Sequence, residues 1–351
     1  MTAIIVPKEM KTENERTSSL TFLPPADCFH MRLKSNLAAD AALMLTTLIW
    51  GSTFFMAKDI LTYWPPLAYL AFRFTLAAVA MAAVFPKQVL GARRDEWRAG
   101  ALLGLLVGTG FALQAAGQVY TTASKSAFVT GLTTPLVPFV VFVMLRVRPS
   151  LVNLIGVALA SAGGALILAP TGGTDEVNAG DLLTLAGTLL FATHITLLSV
   201  YARRYDVRQM AVLQIAAAAI VFLLVWGAFH AADYLFGAGA LPAFAARETS
   251  ALVWNGGIVW QLVYLALIGT FLTFLLWTWS QSRISPTHAA IIFSLEPIFA
   301  TAFAVAVLGP NEWMGPRGFI GAALVFGGII ISEIRLREAR KVNRESSSVN
   351  G

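Results

Sequence analysis

GIVWQLVYLALIGTFLTFLLWTW, from Gly257 to Trp279, holds no charged residue in 23 positions. About 20 apolar residues of helix cross the hydrocarbon core of a bilayer, so this stretch reads as a transmembrane span. Working outward from it, the same pattern predicts ten spans, near residues 40–60, 66–86, 99–118, 125–145, 151–169, 181–201, 210–229, 257–279, 286–308 and 318–334. Composition agrees, with 57% hydrophobic and 13% charged residues against the roughly 25% charged of a soluble domain. Between the seventh and eighth spans, His230 to Asn255 is broken by glycines and Pro242 and reads as a long external loop.

Lysine and arginine collect on the cytoplasmic side of a membrane protein. Of the 25 such residues, Lys58, Lys125, Arg247 and Arg317 fall on the side opposite the N-terminus, Arg73 falls within a span, and the others share the N-terminal side. Both termini are therefore expected in the cytoplasm of a multi-pass inner-membrane protein. Residues 1–39 have no apolar core suited to a signal peptide and read as a cytoplasmic tail, as do residues 336–351.

The chain repeats internally. A shift of 141 positions places Asp40 on Asp181, Trp50 on Phe191, Ser52 on Thr193 and Arg73 on Gln214. A shift of 161 or 162 places Gly108 on Gly269, Ala127 on Ala289 and Pro135 on Pro297, and a shift of 165 places Gly156 on Gly321 and Gly163 on Gly328. Five spans per half is an odd number, so the second half must start on the other side of the membrane. The fold class expected is all-α integral membrane, ten helices in two inverted five-helix repeats, residues 40–169 and 181–335. Such repeats can rock around a central site and change the side it faces.

WGSTFF (Trp50 to Phe55), the Arg73-Phe74 pair, YLALIGTFLTFLLW (Tyr264 to Trp277), SLEPIFA (Ser294 to Ala300) and the final span through Gly321, Gly327 and Gly328 resemble the EamA-type domain of the drug/metabolite transporter superfamily, twice over. The resemblance implies ten helices, cytoplasmic termini and transport, often export, of amino acids or similar metabolites. The sequence departs from that pattern after the fourth span, where Leu145-Arg146-Val147-Arg148 replaces the usual acidic residue, and in the second half, where the acidic counterpart is displaced to Glu312.

Ionisable side chains cost about 2.5 to 3.5 kcal/mol at mid-membrane and mark functional positions by default. Glu296 falls near the middle of the ninth span, with Thr134 as its repeat partner, and each precedes a proline, Pro297 or Pro135. Both prolines are expected to kink their helices toward a shared cavity. Glu296 is a candidate for substrate binding or ion coupling, or for a structural bond to a neighbouring helix. Arg73 could hold a substrate carboxylate or pair with Glu296 or Asp59. His194 and Gln214 could serve as polar sites or as interhelical bonds. Gln114 and Gln118, one turn apart, and Ser126, Thr130 and Thr134, at spacing four, form polar stripes. Trp50 and Thr53 share a face of the first span with Thr46. Apolar walls for a solute are expected from Trp50, Phe54, Phe128 and Phe293. Trp64, Trp97, Trp254, Trp260 and Trp313 lie near span ends and fit an interfacial belt.

Other function classes lack their residues. One cysteine, Cys28, and four histidines make neither a disulfide nor a metal cage, and no cofactor is expected. No GxxxxGK[ST] or HExxH motif is present, which removes the common ATP-driven and metalloprotease readings. The basic residues do not line one face, so nucleic acid is not an expected partner. The expectation is a non-enzymatic secondary transporter of a small-molecule substrate, with proton or other ion coupling open, and the alternative is a channel or a non-transporting membrane scaffold.

Overall fold

The computed structural model describes residues 37–149, 151–168, 177–237, 242, 246–328, 330 and 331. The terminal tails expected at 1–39 and 336–351 lie outside these residues, apart from 37–39, which already belong to the first helix. The described residues are helical with no strand. In chain order the helices are α1 (Leu37–Tyr63), α2 (Pro66–Val84), α3 (Arg94–Gln118), α4a (Ala123–Gly131), α4b (Thr133–Leu145), α5 (Leu151–Leu168), α6 (Ala179–Arg204), α7 (Val207–Phe236), α8 (Gly256–Gln281), α9a (Pro286–Phe293), α9b (Glu296–Leu308) and α10 (residues 315–328).

Among the described residues, helix thus falls within each of the ten stretches marked by the sequence. Seven helices are long and apolar enough to cross a bilayer, among them α4a and α4b taken together, and the apolar runs Leu154–Ile167 and Glu296–Leu308 are shorter. The loop expected from His230 to Asn255 is partly helix, because α7 continues to Phe236. His230, Tyr234, Leu235 and Phe236 extend its apolar surface past the predicted end, and Gly237 stops it with a positive φ of 89°.

Pairing between helices follows the repeat. In the first half α1 packs on α8 and α9, and in the second half α6 packs on α3 and α4; α2 rests on α7 and α8, and α7 rests on α2 and α3. Close approach at small residues fixes the directions. A Cβ on Gly163 would strike the carbonyl oxygen of Gly321, and one on Gly328 would strike that of Gly156. Rising numbers on α5 therefore meet falling numbers on α10. These two helices are repeat partners, so the halves run in opposite senses. Between α3 and α7 the order is parallel: Gly100 meets Leu213, Gly104 meets Gln214 and Ala217, and Gly108 meets Ala218. Small side chains let backbones approach where lipid gives no hydrophobic drive for association.

The core is apolar and aromatic. Phe74 packs edge-on against Phe111 and Phe222, and Phe111 against Phe191, which ties α2, α3, α6 and α7 together. Trp64, expected at the lipid interface, is 1% exposed. The turn between α1 and α2 is covered by residues 247–254, so its ring sits against Phe72 and Trp254 and its Nε1 donates to the Val253 carbonyl at 2.6 Å. Trp254, Trp260 and Trp313 remain exposed.

Replacing Gly104 by leucine should drive a side chain into the α7 backbone at Gln214 and Ala218, a clash of the kind that costs about 1 to 3 kcal/mol. A melting temperature several degrees lower in detergent, or loss of the monodisperse species, is the expected outcome, against little change for the same replacement at Gly227, where the Cβ meets open space.

Candidate functional site

Two helices break at the centre of the bundle. The fourth span stops at Gly131 and restarts at Thr133, and the ninth stops at Phe293 and restarts at Glu296. These breaks stand where the sequence suggested proline kinks. Pro135 and Pro297 fall in the first turn of the restarted helices rather than at a bend in a continuous one. Proline is tolerated there because first-turn N–H groups have no helical acceptor. The N–H groups it lacks would have served the carbonyls of Gly131 and Phe293. The two breaks face each other, since a Cβ on Gly131 would meet the Pro297 ring at 2.9 Å. Thr134 Oγ1 ties them by donating to the Ala290 carbonyl at 3.1 Å.

Around these breaks lies a cavity of about 60 Å³ between the halves, lined by Trp50, Thr53 and Phe54 of α1, Val107, Phe111 and Gln114 of α3, Thr130 to Thr134 of the fourth span except Leu132, Phe191 and Ile195 of α6, Trp277 of α8, and Phe293 and Glu296. That is room for about two waters. Glu296 has no hydrogen-bond or ion-pair partner among the described residues. Its carboxyl begins α9b, where the free N–H groups and helix dipole favour negative charge. Trp50 stacks on Phe293 with centroids 5.3 Å apart and meets Trp277 edge-on at 5.1 Å. Gln114 Nε2 donates to Thr130 Oγ1 at 2.8 Å across the wall.

A recess of about 10 Å³ adjoins the cavity, sharing Thr53, Phe54, Phe111 and Gln114 with it and adding Arg73 and Gln118. Arg73 is 3% exposed. Its Nε donates to Thr270 Oγ1 at 2.8 Å, one Nη to the Tyr69 hydroxyl at 2.8 Å and the other to the Gly269 carbonyl at 3.1 Å. All three acceptors are neutral. Neither pairing open from the sequence is made: Glu296 is unbonded, and Asp59 accepts from Gln261 at 2.7 Å. Gly269 lies in a π-helical turn, Leu267–Leu272. The wider turn displaces the carbonyl from regular helix bonding, and it accepts from Arg73, Thr273 Oγ1 and Trp50 Nε1. Gln118 Nε2 donates to the Phe54 carbonyl at 2.8 Å.

His194 and Gln214 stand behind this wall. His194 Nε2 meets Gln214 Oε1 at 2.8 Å, and the Gln214 amide donates to Thr278 Oγ1 at 3.2 Å. With the amide nitrogen so engaged, the imidazole must be the donor at Nε2. Both residues are fully buried and join α6, α7 and α8, with the Trp277 ring 4.9 Å from the imidazole. Neither lines the cavity. Phe128, expected as an apolar wall, is buried outside it as well.

Polar contacts close both ends of the bundle. At the end holding Asp181, Lys125 Nζ meets Asp181 Oδ2 at 2.8 Å. Lys58 Nζ donates to the carbonyls of Gln118, Val119 and Thr121, which end α3. The Glu312 carboxylate accepts from the N–H groups of Ala123 and Ser124 at the start of α4a. At the same end, Arg247 donates to the Leu61 carbonyl, and Glu248 Oε2 accepts from the Leu67 N–H at 3.0 Å. At the opposite end, His288 Nε2 meets Asp40 Oδ1 at 2.8 Å, Ser280 Oγ donates to the Ala39 carbonyl, and Arg203 to that of Ile284.

The EamA-like transporter family matches residues 37–169 and again residues 178–333. The chain belongs to that family. It is a multi-pass membrane transporter built of two EamA units. An uncharacterized transporter of Archaeoglobus fulgidus is 29% identical over 300 residues, covering 86% of this chain and 87% of the relative. The uncharacterized inner membrane transporter YedA of Escherichia coli K12 is 27% identical over 297 residues, covering 81% and 89%. A solved crystal structure with 19% sequence identity superposes with a TM-score of 0.61 over 87% of this chain and 99% of its own, which shows a shared fold.

In this EamA pair the cavity gathers Trp50, Thr53, Phe54, Gln114, Thr130, Thr134, Phe293 and Glu296 from among the sequence candidates, while Arg73 and Gln118 face the recess beside it. Sequence reading missed Phe111, Thr133, Phe191, Ile195 and Trp277. Phe191 carried a usable signal, since it is the repeat partner of Trp50 and lines the same space from the other half. Thr133 lies one position before the polar stripe and becomes a wall residue only because the helix breaks at Leu132.

Burial pushes the Glu248 carboxyl up to about 7, against the opposing pull of the Leu67 N–H, of Arg247 and of the Ala68 N–H. The folded chain therefore holds a proton there that the unfolded chain has released, so stability should fall as pH rises from about 4.5 to about 7. Glu248→Gln should flatten that part of a profile of thermal stability against pH, and an unchanged slope would assign it to other groups.

Proposed function

We propose that this EamA-like protein is a secondary transporter of small metabolites, an exporter of amino acids or closely related solutes, working by alternating access. It belongs in the inner membrane with both termini and the Asp40 end in the cytoplasm. The placement of lysine and arginine supports that orientation, and YedA is named as an inner membrane transporter. The chain carries no catalytic constellation to suggest an enzyme, and energy would come from an ion gradient or from the solute's own gradient.

One observation carries the reading. Two ionisable side chains of opposite type, Arg73 and Glu296, stand at adjoining parts of a narrow space between inverted halves, and neither has a charged partner among the described residues. Ionisable groups without an ionic partner at such depth are costly. A solute carrying a carboxylate and an ammonium group would offset both, the carboxylate at Arg73 in the bidentate manner guanidinium favours and the ammonium at Glu296. The face of Trp50, the edge of Trp277 and Phe293 would hold its apolar part. Gln114, Thr53, Thr130 and Thr134 supply hydrogen bonds, and Gln118, His194 and Gln214 steady the helices that present them. The cavity of about 60 Å³ is far below the roughly 300 Å³ or more of an occupied small-molecule pocket. Binding would therefore require the halves to part at one end, which is the motion alternating access needs.

Counterflow in proteoliposomes, with L-amino acids, nucleosides and sugars, each with and without a pH gradient, tests this directly. Amino acids should exchange and the other classes should not. Glu296→Gln and Arg73→Gln should each raise the half-saturating concentration by about tenfold or more, the loss expected for a charge-assisted contact, and Glu296→Gln should also lose any acceleration by the gradient. Absence of exchange for every solute by folded protein would overturn the carrier reading.

A further inference from the structure

The two ion pairs that close the ends of the bundle are images of each other. Asp40 falls on Asp181 under the 141-residue shift, and each lies in the first turn of the opening helix of its half. Their partners match more closely than the sequence shift suggests. Lys125 is the third residue of α4a, and its N–H donates at 3.1 Å to the hydroxyl of the capping residue Thr122. His288 is the third residue of α9a, and its N–H donates at 3.1 Å to the hydroxyl of Ser285, which stands just before that helix. In each half an aspartate on the first helix of one repeat meets, at 2.8 Å, a basic side chain on the fourth helix of the other. One pair lies at each end of the bundle.

The chemistry of the pairs differs. Lysine carries its charge throughout the physiological range, and the side chains of Lys125 and Asp181 are 13% and 1% exposed. Histidine is the side chain whose ordinary titration falls between about pH 5 and 8, and those of His288 and Asp40 are 23% and 28% exposed. We propose that Asp40 and His288 form a pH-sensitive latch at one end of the transporter, while the twofold-related Lys125 and Asp181 form a latch that does not respond to pH over the same range. Acid at the Asp40 end protonates the imidazole, turns the contact into an ion pair and holds that end shut. Alkali leaves only a hydrogen bond from the uncharged imidazole to the carboxylate, a weaker hold that lets that end open. The proposal rests on the two-gated carrier reading and gives it a control that acts from one side only.

The surroundings leave the switch to these two groups. From α6 and the turn after it come Arg203, bonded to the Ile284 carbonyl, Arg204, stacked on Tyr205, and the Asp206 and Arg208 pair. From the end of α8 comes Arg283, whose guanidinium lies 4.2 Å from the Trp279 ring centroid and bonds the Trp279 carbonyl. From the end of α4b come Arg146 and Arg148. Arginine does not deprotonate in proteins. Tyr205 is pushed further above its ordinary value by burial. Asp206 is committed to Arg208 and to the first N–H groups of α7. Among the described residues at this end, His288 is the one imidazole.

The test places a single reporter cysteine in the cavity wall, Thr133→Cys in a Cys28→Ser background, and follows its modification by a water-soluble methanethiosulfonate in detergent-purified full-length protein. Rates are taken relative to the same reporter with Asp40→Asn, which removes the intrinsic pH dependence of the thiol. From pH 8 to pH 5.5 the relative rate should fall roughly fivefold, the difference between a hydrogen bond with one charged partner and an ion pair. His288→Gln should hold it high and flat, and His288→Lys low and flat, which also shows that the site tolerates substitution. Asp181→Asn should raise labelling equally at every pH. The latch is overturned if His288→Gln keeps the wild-type profile, or if Asp40→Asn leaves labelling unchanged while Asp181→Asn raises it. Counterflow that proceeds normally alongside either result would leave the carrier standing without the latch, whereas absent counterflow with the expected labelling would do the reverse.

Discussion

A hydrocarbon solvent offers no hydrogen bonds, so every polar group within it must be answered by the protein or by something the protein encloses. That constraint orders the rest of the molecule. It makes the described residues helical, and it lets the fourth and ninth spans break only where the breaks face each other. It also explains why the threonines of α1, α6 and α8 turn their hydroxyls onto carbonyls of their own helix, as Thr47, Thr196 and Thr278 do. Against that background of internal satisfaction, Arg73 with three neutral acceptors and Glu296 with none stand out by contrast.

Much of the architecture could be read from the chain because apolar length and charge placement are direct responses to the bilayer. The helices fall where uncharged stretches lie, and the repeat emerges from a handful of spaced glycines, prolines and an aspartate. The departures have local causes. His230 to Phe236 are helical because their apolar side chains continue the stripe of α7, and the first of the glycines that break the segment, Gly237, stands at its end. Trp64 is buried because a distant segment folds over it, a long-range event with no mark at position 64. The prolines were visible, but their effect appears a few residues upstream, since it is the acceptor carbonyl rather than the ring that loses its partner.

The site was legible in part for the same reason. Costly side chains at depth and the aromatic walls beside them can be listed from sequence, and eight of the candidates meet around one cavity. What a sequence cannot rank is which of them face the space and which brace the wall. His194 and Gln214 satisfy each other one layer back, while Phe191 and Trp277, unremarkable in an apolar span, close the chamber. Repeat symmetry repairs some of that loss: Trp50 and Phe191 are equivalent, as are the two aspartates that open the halves.

The carbonyl of Gly269 takes donors from Trp50, Arg73 and Thr273, and it can do so because the helix is underwound there into a wider π turn. Its mechanical meaning is that of a rivet passing through three plates. The first two helices and the eighth cannot slide past one another without pulling out two side-chain anchors together, so they travel as one block. Any displacement that opens the molecule would then have to be taken up along seams that lack such a fastener.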